Sequence, residues 1–257
     1  MFNIGQEPTT LLLIDDDLVS REVMATVLTM SGYAVHTAED GAASIALLET
    51  KEFTPDAILM DAQMPGLSGA KLINALRARS RARVFAISGS SAPNEIVAAA
   101  DGFLQKPLGV DALRRALREP LAAIDQAAWT RKPVAKPIDD EPVLSAATLE
   151  QLRGMMTEAA VKEIYSTVVA DLTARQVALE AAMATGDETL VRRIGHSIKG
   201  SCGMAGAMQA AKLGTRLEAL PADFRVDQQG ECAAILRALG AATDSLKRML
   251  EAEFPIQ

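Results

Sequence analysis

Two short apolar runs in the first quarter of the chain end abruptly in acid. Leu11-Leu12-Leu13-Ile14 runs into Asp15-Asp16-Asp17, and Ile58-Leu59-Met60 runs into Asp61. A run that is apolar at every position, rather than at alternate ones, predicts a strand covered on both faces. Such a strand belongs in a parallel sheet with helices on either side. Further short apolar segments follow, separated by stretches of helical period. The expected strands are Leu11–Ile14, Ala34–Thr37, Ala57–Met60, Arg83–Ser88 and Phe103–Gln105, with the first and third of these central. From Thr10 to about Ala127 the expected class is therefore α/β, a doubly wound five-stranded parallel sheet.

After Ala127 the pattern changes. Residues 128–144 contain Pro133, Pro137 and Pro142 among mixed charges and show no amphipathic period, which predicts a linker. Beyond it the period is helical throughout. Val161, Tyr165, Val168, Leu172, Leu179 and Met183 mark one stripe, and Ile235, Leu239, Ala242, Leu246 and Met249 another. Asp187 and Glu188 are placed to start a helix through His196, and Pro221 to close one that begins near Ala207. The expected division is residues 1–127, linker 128–144, and an all-α antiparallel bundle over 145–257.

A length of 257 residues suits two modest domains, each with its own core. The net charge of −7 is spread over both halves, with 11 basic against 16 acidic residues through Asp125 and 15 against 17 after it. Neither half has the cationic surplus that a phosphate backbone demands, which disfavours a nucleic-acid partner. Cys202 and Cys232 fit no metal spacing and no disulfide framework, consistent with a reducing compartment. The start, Met-Phe-Asn-Ile-Gly-Gln-Glu-Pro, lacks the pattern of a secretory signal. With no apolar run near the roughly 20 residues that span a bilayer, the expectation is a cytoplasmic protein without a membrane span.

In a doubly wound sheet, the loops at the carboxyl ends of the strands build the site. Asp15, Asp16, Asp61, Ser88 and Lys106 all fall there, so four strands are expected to converge on one place. Clustered carboxylates repel one another unless a cation neutralises them, and an all-oxygen set suits a hard ion such as magnesium. The Asp61 carboxylate can then attack phosphorus while Lys106 holds another oxygen as charge builds, and the Ser88 hydroxyl can donate to a third. Asp17 reads as a helix cap or solvated neighbour rather than a ligand.

Residues 9–127 closely resemble the receiver domains of two-component response regulators, whose fold is flavodoxin-like. The resemblance implies Asp15 and Asp16 as the acidic metal pair, Asp61 as the phosphorylated residue, the Gln63 carbonyl on the magnesium ion, and Ser88 as the switch hydroxyl. Lys106 matches the family lysine, followed by what is usually a cis Pro107, and Phe103 stands at the position of the switch aromatic. Only 18 positions separate Ser88 from Lys106, so the fourth helix, around Asn94–Ala100, must be short or irregular.

The second constellation is His196-Ser197-Ile198-Lys199-Gly200. On a helix, Lys199, Gly200 and Gly203 share a face with His196. Ile194 and Ile198 point the other way, towards the core, which predicts an exposed His196. Glycine costs about 1 kcal/mol in a helix interior, so Gly200 and Gly203 suggest that something comes close to this face. A neutral imidazole is a competent nucleophile for phosphorus, and Lys199 can stabilise the phosphoryl oxygens. The run, with Gly206-Ala207 beyond it, resembles histidine phosphotransfer (HPt) domains over about residues 145–254. That resemblance implies a four-helix bundle with a short leading helix.

Together the two constellations predict a phosphorelay protein that accepts a phosphoryl group on Asp61 and carries or exchanges one on His196. Neither half has the motifs of an ATP-binding kinase domain, so the expected donor is an upstream sensor histidine kinase and the expected acceptor a downstream response regulator receiver. Two alternatives stand beside it: a receiver that gates an HPt domain exchanging only with other proteins, and a phosphotransfer-inactive interaction module. Of the remaining features, His36 reads as a packed or edge residue. Arg77, Arg79, Arg81 and Arg83 read as a solvated helix end, and Trp129 as a possible anchor of the linker.

Overall fold

The computed structural model describes residues 8–89, 94–106, 108–118, 141–220 and 229–254. The chain separates into two compact units, Met1–Pro133 and Val134–Gln257.

The first unit alternates strands and helices: β1 (Thr10–Ile14), α1 (Leu18–Met30), β2 (Ala34–Ala38), α2 (Gly41–Glu49), β3 (Ala57–Asp61), α3 (Gly69–Arg77), β4 (Arg83–Ser88), α4 (Asn94–Ala99), β5 (Gly102–Gln105) and α5 (Val110–Arg118). The five strands form one parallel sheet in the order β2-β1-β3-β4-β5. Leu11 to Ile14 and Ala57 to Met60 are all fully buried, as their unbroken apolar character requires. Alternate residues share a face. Leu12, Ile14, Ile58, Met60, Val84 and Ala86 therefore line one side, where Leu48 of α2, Leu72, Ile73 and Leu76 of α3, and Ile96 of α4 cover them. Each Leu, Ile, Val or Met side chain among them, taken from water, contributes roughly 1.5–3 kcal/mol. The strand order reverses between β1 and β3, so the crevice at their carboxyl ends is the topological switch point of the sheet. The fourth helix is six residues long, as the spacing demanded.

His36 lies exposed on the edge strand β2 with its ring stacked on Phe53, centroids 4.0 Å apart. The arginine run is not uniformly solvated. Arg83 opens β4, donates from Nη1 to the Leu117 carbonyl at 3.2 Å and sets its guanidinium 4.9 Å from the Phe85 ring centre. Arg77 donates to Asp101 Oδ1 at 2.6 Å, while Asp101 Oδ2 accepts from the Val84 N–H.

Among the described residues of the second unit every element is a helix: α6 (Ala146–Met155), α7 (Glu158–Thr185), α8 (Glu188–Ala205), α9 (Met208–Glu218) and α10 (Gln229–Glu253). The four longer helices close a ring, with α7 on α8, α8 on α9, α9 on α10 and α10 on α7, and the short α6 leads in against α7. The expected stripes face inward: Val161, Tyr165, Val168, Leu172 and Leu179 on α7, and Ile235, Leu239, Ala242 and Leu246 on α10, are all buried. Met183 and Met249, at the ends of those stripes, are only half-buried. Asp187 caps α8 by accepting the Leu190 N–H at 2.9 Å. Gly206 ends it in the left-handed region at φ 75°, which a side chain disfavours.

Most of the expected linker, with Trp129, lies outside the described residues, as do Pro107 and Pro221. Its described end is attached to the bundle, because Leu144 is buried and the Glu141 carbonyl accepts from Gln209 Nε2. The helical unit therefore takes in residues 141–144, which sequence polarity had placed in the linker.

The helices α8 and α9 approach one another closely at two glycines. A Cβ at Gly195 would sit 2.6 Å from Leu217 Cβ and 2.7 Å from the Glu218 nitrogen, and one at Gly214 would sit 2.5 Å from the Lys199 nitrogen. Both contacts involve helix backbone, which cannot swing aside. Gly195→Ala is expected to lower the thermal midpoint of the helical unit, because overpacking costs about 1–3 kcal/mol. Calorimetry of the full chain checks this, with the transition of the α/β unit unmoved.

Candidate functional site

Two sites emerge, one in each unit. In the α/β unit, Asp15 and Asp16 follow β1, Asp61 ends β3, Ser88 ends β4 and Lys106 follows β5. The sheet itself brings these strand ends together. Backbone hydrogen bonds from Ala62 N to the Ile87 carbonyl and from Lys106 N to the Ser88 carbonyl, both 2.8 Å, carry the pairing to the rim. Asp15, Asp61, Ser88 and Lys106 are all buried, whereas Asp16 is open to solvent.

The Lys106 ammonium lies between two carboxylates, 2.7 Å from Asp15 Oδ2 and 2.6 Å from Asp61 Oδ2, and donates to Ser20 Oγ at 3.1 Å. Ser20 Oγ in turn donates to Asp15 Oδ2 at 2.8 Å. The second oxygen of each buried acid accepts from backbone, Asp15 Oδ1 from Asp17 N and Asp61 Oδ1 from Gln63 N. Burial works against every charge here. For Lys106 the neighbouring Asp61 and Asp15 outweigh it and hold the ammonium well above the usual lysine range. Burial and Asp15 push Asp61 above the usual carboxylate range, although Lys106 pulls the other way. Asp16 is raised to about 6, by partial burial and by the charges of Asp61 and Asp15.

Asp15, Asp16 and Asp61 can each offer one carboxylate oxygen within 4.8 Å of the others. An all-oxygen donor set of three carboxylates fits a hard divalent cation, which would offset the charges that, after burial, help to raise Asp16. Asp17 is the N-cap of α1 rather than part of this set, its Oδ1 accepting the Ser20 N–H at 2.8 Å.

In the helical unit, His196 is not the exposed residue that its helix face predicts. It is only 9% exposed, because the close α8–α9 approach at Gly195 and Gly214 brings Glu218 against the ring. His196 Nδ1 is 2.9 Å from Glu218 Oε1, and Lys199 Nζ donates to Glu218 Oε2 at 2.9 Å. Burial would raise the Glu218 pKa, but the hydrogen bonds and charges of His196 and Lys199 hold it at about 2. A carboxylate ionised at neutral pH can only accept, so Nδ1 carries the proton and Nε2 keeps the lone pair in the neutral ring. Gly203, two turns beyond His196, is open: a Cβ there would meet nothing within 4 Å.

Ser20, Arg21 and Glu218 were not singled out in the sequence. Ser20 and Arg21 lie in the first turn of a helix capped by Asp17, and that cap fixes the turn so that both reach back to Asp15; Arg21 Nη1 donates to the Asp15 carbonyl at 2.6 Å. Glu218 had a weaker signal. It and His196 are both 11 positions from Ala207, and an antiparallel helical hairpin turning at Gly206-Ala207 pairs residues equidistant from the turn.

The depressed Glu218 pKa links this contact to acid stability. A carboxyl at about 2 when folded, against an ordinary 4.5, contributes stability that is fully present above pH 4.5 and is lost as pH falls towards 2. Between those limits the helical unit of the native chain is expected to lose stability more steeply than that of Glu218→Gln, as read by denaturant titration at a series of pH values.

Among the described residues, no helix is long and apolar enough to cross a membrane. The family model of the response regulator receiver domain matches residues 11–118, and that of the Hpt domain matches residues 163–252. The sensor histidine kinase AruS of Pseudomonas aeruginosa is 29% identical over 251 residues, which cover 92% of this chain and 23% of that protein. The virulence sensor protein BvgS of Bordetella pertussis is 27% identical over 258 residues, covering 94% of this chain and 20% of it. The nitrate/nitrite response regulator protein NarL of Escherichia coli is 35% identical over 125 residues, 46% of this chain and 57% of NarL. The chain thus spans less than a quarter of the length of the two sensor proteins that it matches nearly end to end. With both models matched on separate compact units, the chain belongs to the two-component signalling families, joining a response regulator receiver domain to an Hpt domain.

Proposed function

We propose that this chain is a phosphorelay intermediate in which Asp61 of the receiver domain accepts a phosphoryl group and His196 of the Hpt domain carries or exchanges one. The observation that supports this most is the presence, in one chain, of a buried carboxylate held against an ammonium and a histidine whose Nδ1 is held by a carboxylate. The first is an acceptor poised for phosphorus, and the second a nucleophile with its lone pair fixed on Nε2.

The chemistry follows from those atoms. An Asp61 oxygen attacks the phosphorus of a donor such as a phosphohistidine; the new P–O bond forms as the donor P–N bond breaks, and its electron pair returns to the departing imidazole. Lys106 stays an ammonium throughout and turns from Asp61 towards the phosphoryl oxygens, whose charge it offsets. Ser88, buried at the end of β4, is the residue assigned to donate to a further oxygen. Asp15, Asp16, Asp61 and the Gln63 carbonyl would hold magnesium, which would supply electrostatic screening between the acidic pocket and the incoming phosphoryl group.

At the second site, His196 Nε2 attacks the phosphorus of an aspartyl phosphate and the carboxylate leaves with the electrons of the P–O bond. Glu218 stabilises the positive charge that builds on the ring through Nδ1–H, as an oriented carboxylate does for any imidazole nucleophile. Lys199 uses one N–H on Glu218 and has two more for phosphoryl oxygens. A sensor histidine kinase is the proposed donor, in keeping with the likeness to the sensor histidine kinase AruS over 92% of this chain, and a separate receiver the proposed acceptor.

Labelling with acetyl phosphate and magnesium tests the reading. Aspartyl phosphate is base-labile and phosphohistidine acid-labile, so the two are separable. The native chain is expected to label on Asp61 and then on His196. Asp61→Ala is expected to abolish both, and His196→Ala only the second. A chain in which His196 stays empty while Asp61 labels supports the receiver as a gate instead, and a chain that takes no label at either residue supports an interaction module. Glu218→Ala is expected to slow phosphorylation of His196 by roughly tenfold, the worth of one charge-assisted hydrogen bond, with Asp61 labelling unaffected.

A further inference from the structure

The Lys106 ammonium has three N–H donors and three acceptors around it, and only two of those acceptors are charged. The third is the hydroxyl of Ser20, a residue with no solvent exposure on a different element from either acid's strand. We infer that Ser20 is a positioning residue for Lys106, anchoring the ammonium to α1 while its contact with Asp61 turns over during phosphoryl transfer. The inference rests on the reading of Asp61 as the phosphoryl acceptor.

The direction of the hydrogen bonds makes the role specific. Ser20 Oγ gives its one proton to Asp15 Oδ2 at 2.8 Å, which leaves its lone pairs facing the ammonium 3.1 Å away. It therefore joins Asp15 to Lys106 as donor to one and acceptor from the other. Asp15 and Asp61 are both 4% exposed or less at the side chain, as is Lys106, so the Ser20 oxygen lies in a contact largely closed to bulk solvent.

Ser20 is itself held in place. Its backbone N–H is fixed on Asp17 Oδ1 at 2.8 Å, and the next residue, Arg21, ties the same turn to the Asp15 carbonyl at 2.6 Å. The hydroxyl is thus placed by backbone and cap geometry, not by its own rotamer alone.

The anchor matters at the moment of transfer. In the resting site Lys106 shares its charge between two carboxylates. As an Asp61 oxygen bonds to phosphorus, its negative charge passes to the phosphoryl group and its attraction for the ammonium weakens. Nothing needs to be protonated or reduced; one P–O bond forms, the donor's bond to phosphorus breaks, and the leaving group departs with that electron pair. Without the Ser20 oxygen the ammonium would be drawn onto Asp15 alone, away from the phosphoryl oxygens it has to reach. An oxygen on α1 that holds the third N–H keeps Nζ within reach of them.

The test is a double-mutant cycle on the full chain, with acetyl phosphate as donor at saturating magnesium, comparing native, Ser20→Ala, Lys106→Ala and the double variant. Ser20→Ala is expected to slow Asp61 labelling by about tenfold in the native background, the loss of one hydrogen bond to a charged group, and by less than about twofold once Lys106 is alanine. A second readout needs neither metal nor donor: the Lys106 ammonium signal in nitrogen-15 NMR is expected to exchange its protons faster with solvent in Ser20→Ala. Equal slowing in both backgrounds, or a native chain that labels while Ser20→Ala labels just as fast, overturns the proposal alone. Unchanged ammonium exchange also counts against it. A native chain that takes no label overturns the acceptor reading, and this inference with it.

Discussion

The ammonium of Lys106 is what allows acid to sit at the end of buried strands. Asp15 and Asp61 close apolar runs that the sheet buries on both faces, and two carboxylates at that depth would each face a large desolvation cost and one another's charge. One lysine, brought in from the far side of the strand order by β5, answers both at 2.6–2.7 Å. Its own burial is tolerated only because two acids surround it, which is why its pKa goes up and not down. The arrangement is a conditional one: with three carboxylates to a single ammonium, the pocket keeps a surplus of negative charge at its solvent-facing side, on Asp16.

The helical unit solves a comparable problem with different means. Here the constraint is a backbone approach, not a buried strand. Gly195 and Gly214 let α8 and α9 close until a Cβ on either would strike main-chain atoms. That closeness places a glutamate from one helix against an imidazole and a lysine from the other. The Glu218 carboxylate bridges the two, fixes the ring tautomer, and keeps Lys199 beside the histidine instead of free in solvent. In each unit, then, one charged side chain joins two partners of opposite charge or polarity across elements far apart in sequence.

Much of this was legible in the amino-acid order. The five strands and their central pair were readable because continuous apolar runs bounded by acid have few other solutions, and the residues at their ends could be placed on one rim from topology alone. The helical stripes of α7 and α10 were readable from period. The errors share one cause. His196 was expected to be exposed because its own helix turns it from the core; a second helix covers it. Arg83 was grouped with its neighbours in a solvated run, but it opens a strand and donates to the Leu117 carbonyl of α5. Residues 141–144 look like linker by composition, yet Leu144 is buried. In each case the deciding contact comes from a residue more than twenty positions away or from a different element.

By itself, then, the sequence determined the class of each unit, the order of its elements and the identity of the chemical groups at the strand ends and on α8, because those depend on local period and on the rule that parallel strands present their carboxyl ends together. The tertiary structure alone decided the partners: Ser20 beneath Lys106, Glu218 on His196, and the glycine pair that sets their spacing. A hydrogen bond across elements depends on distances of a few tenths of an ångström, and those are set by how whole surfaces pack, which no local pattern encodes.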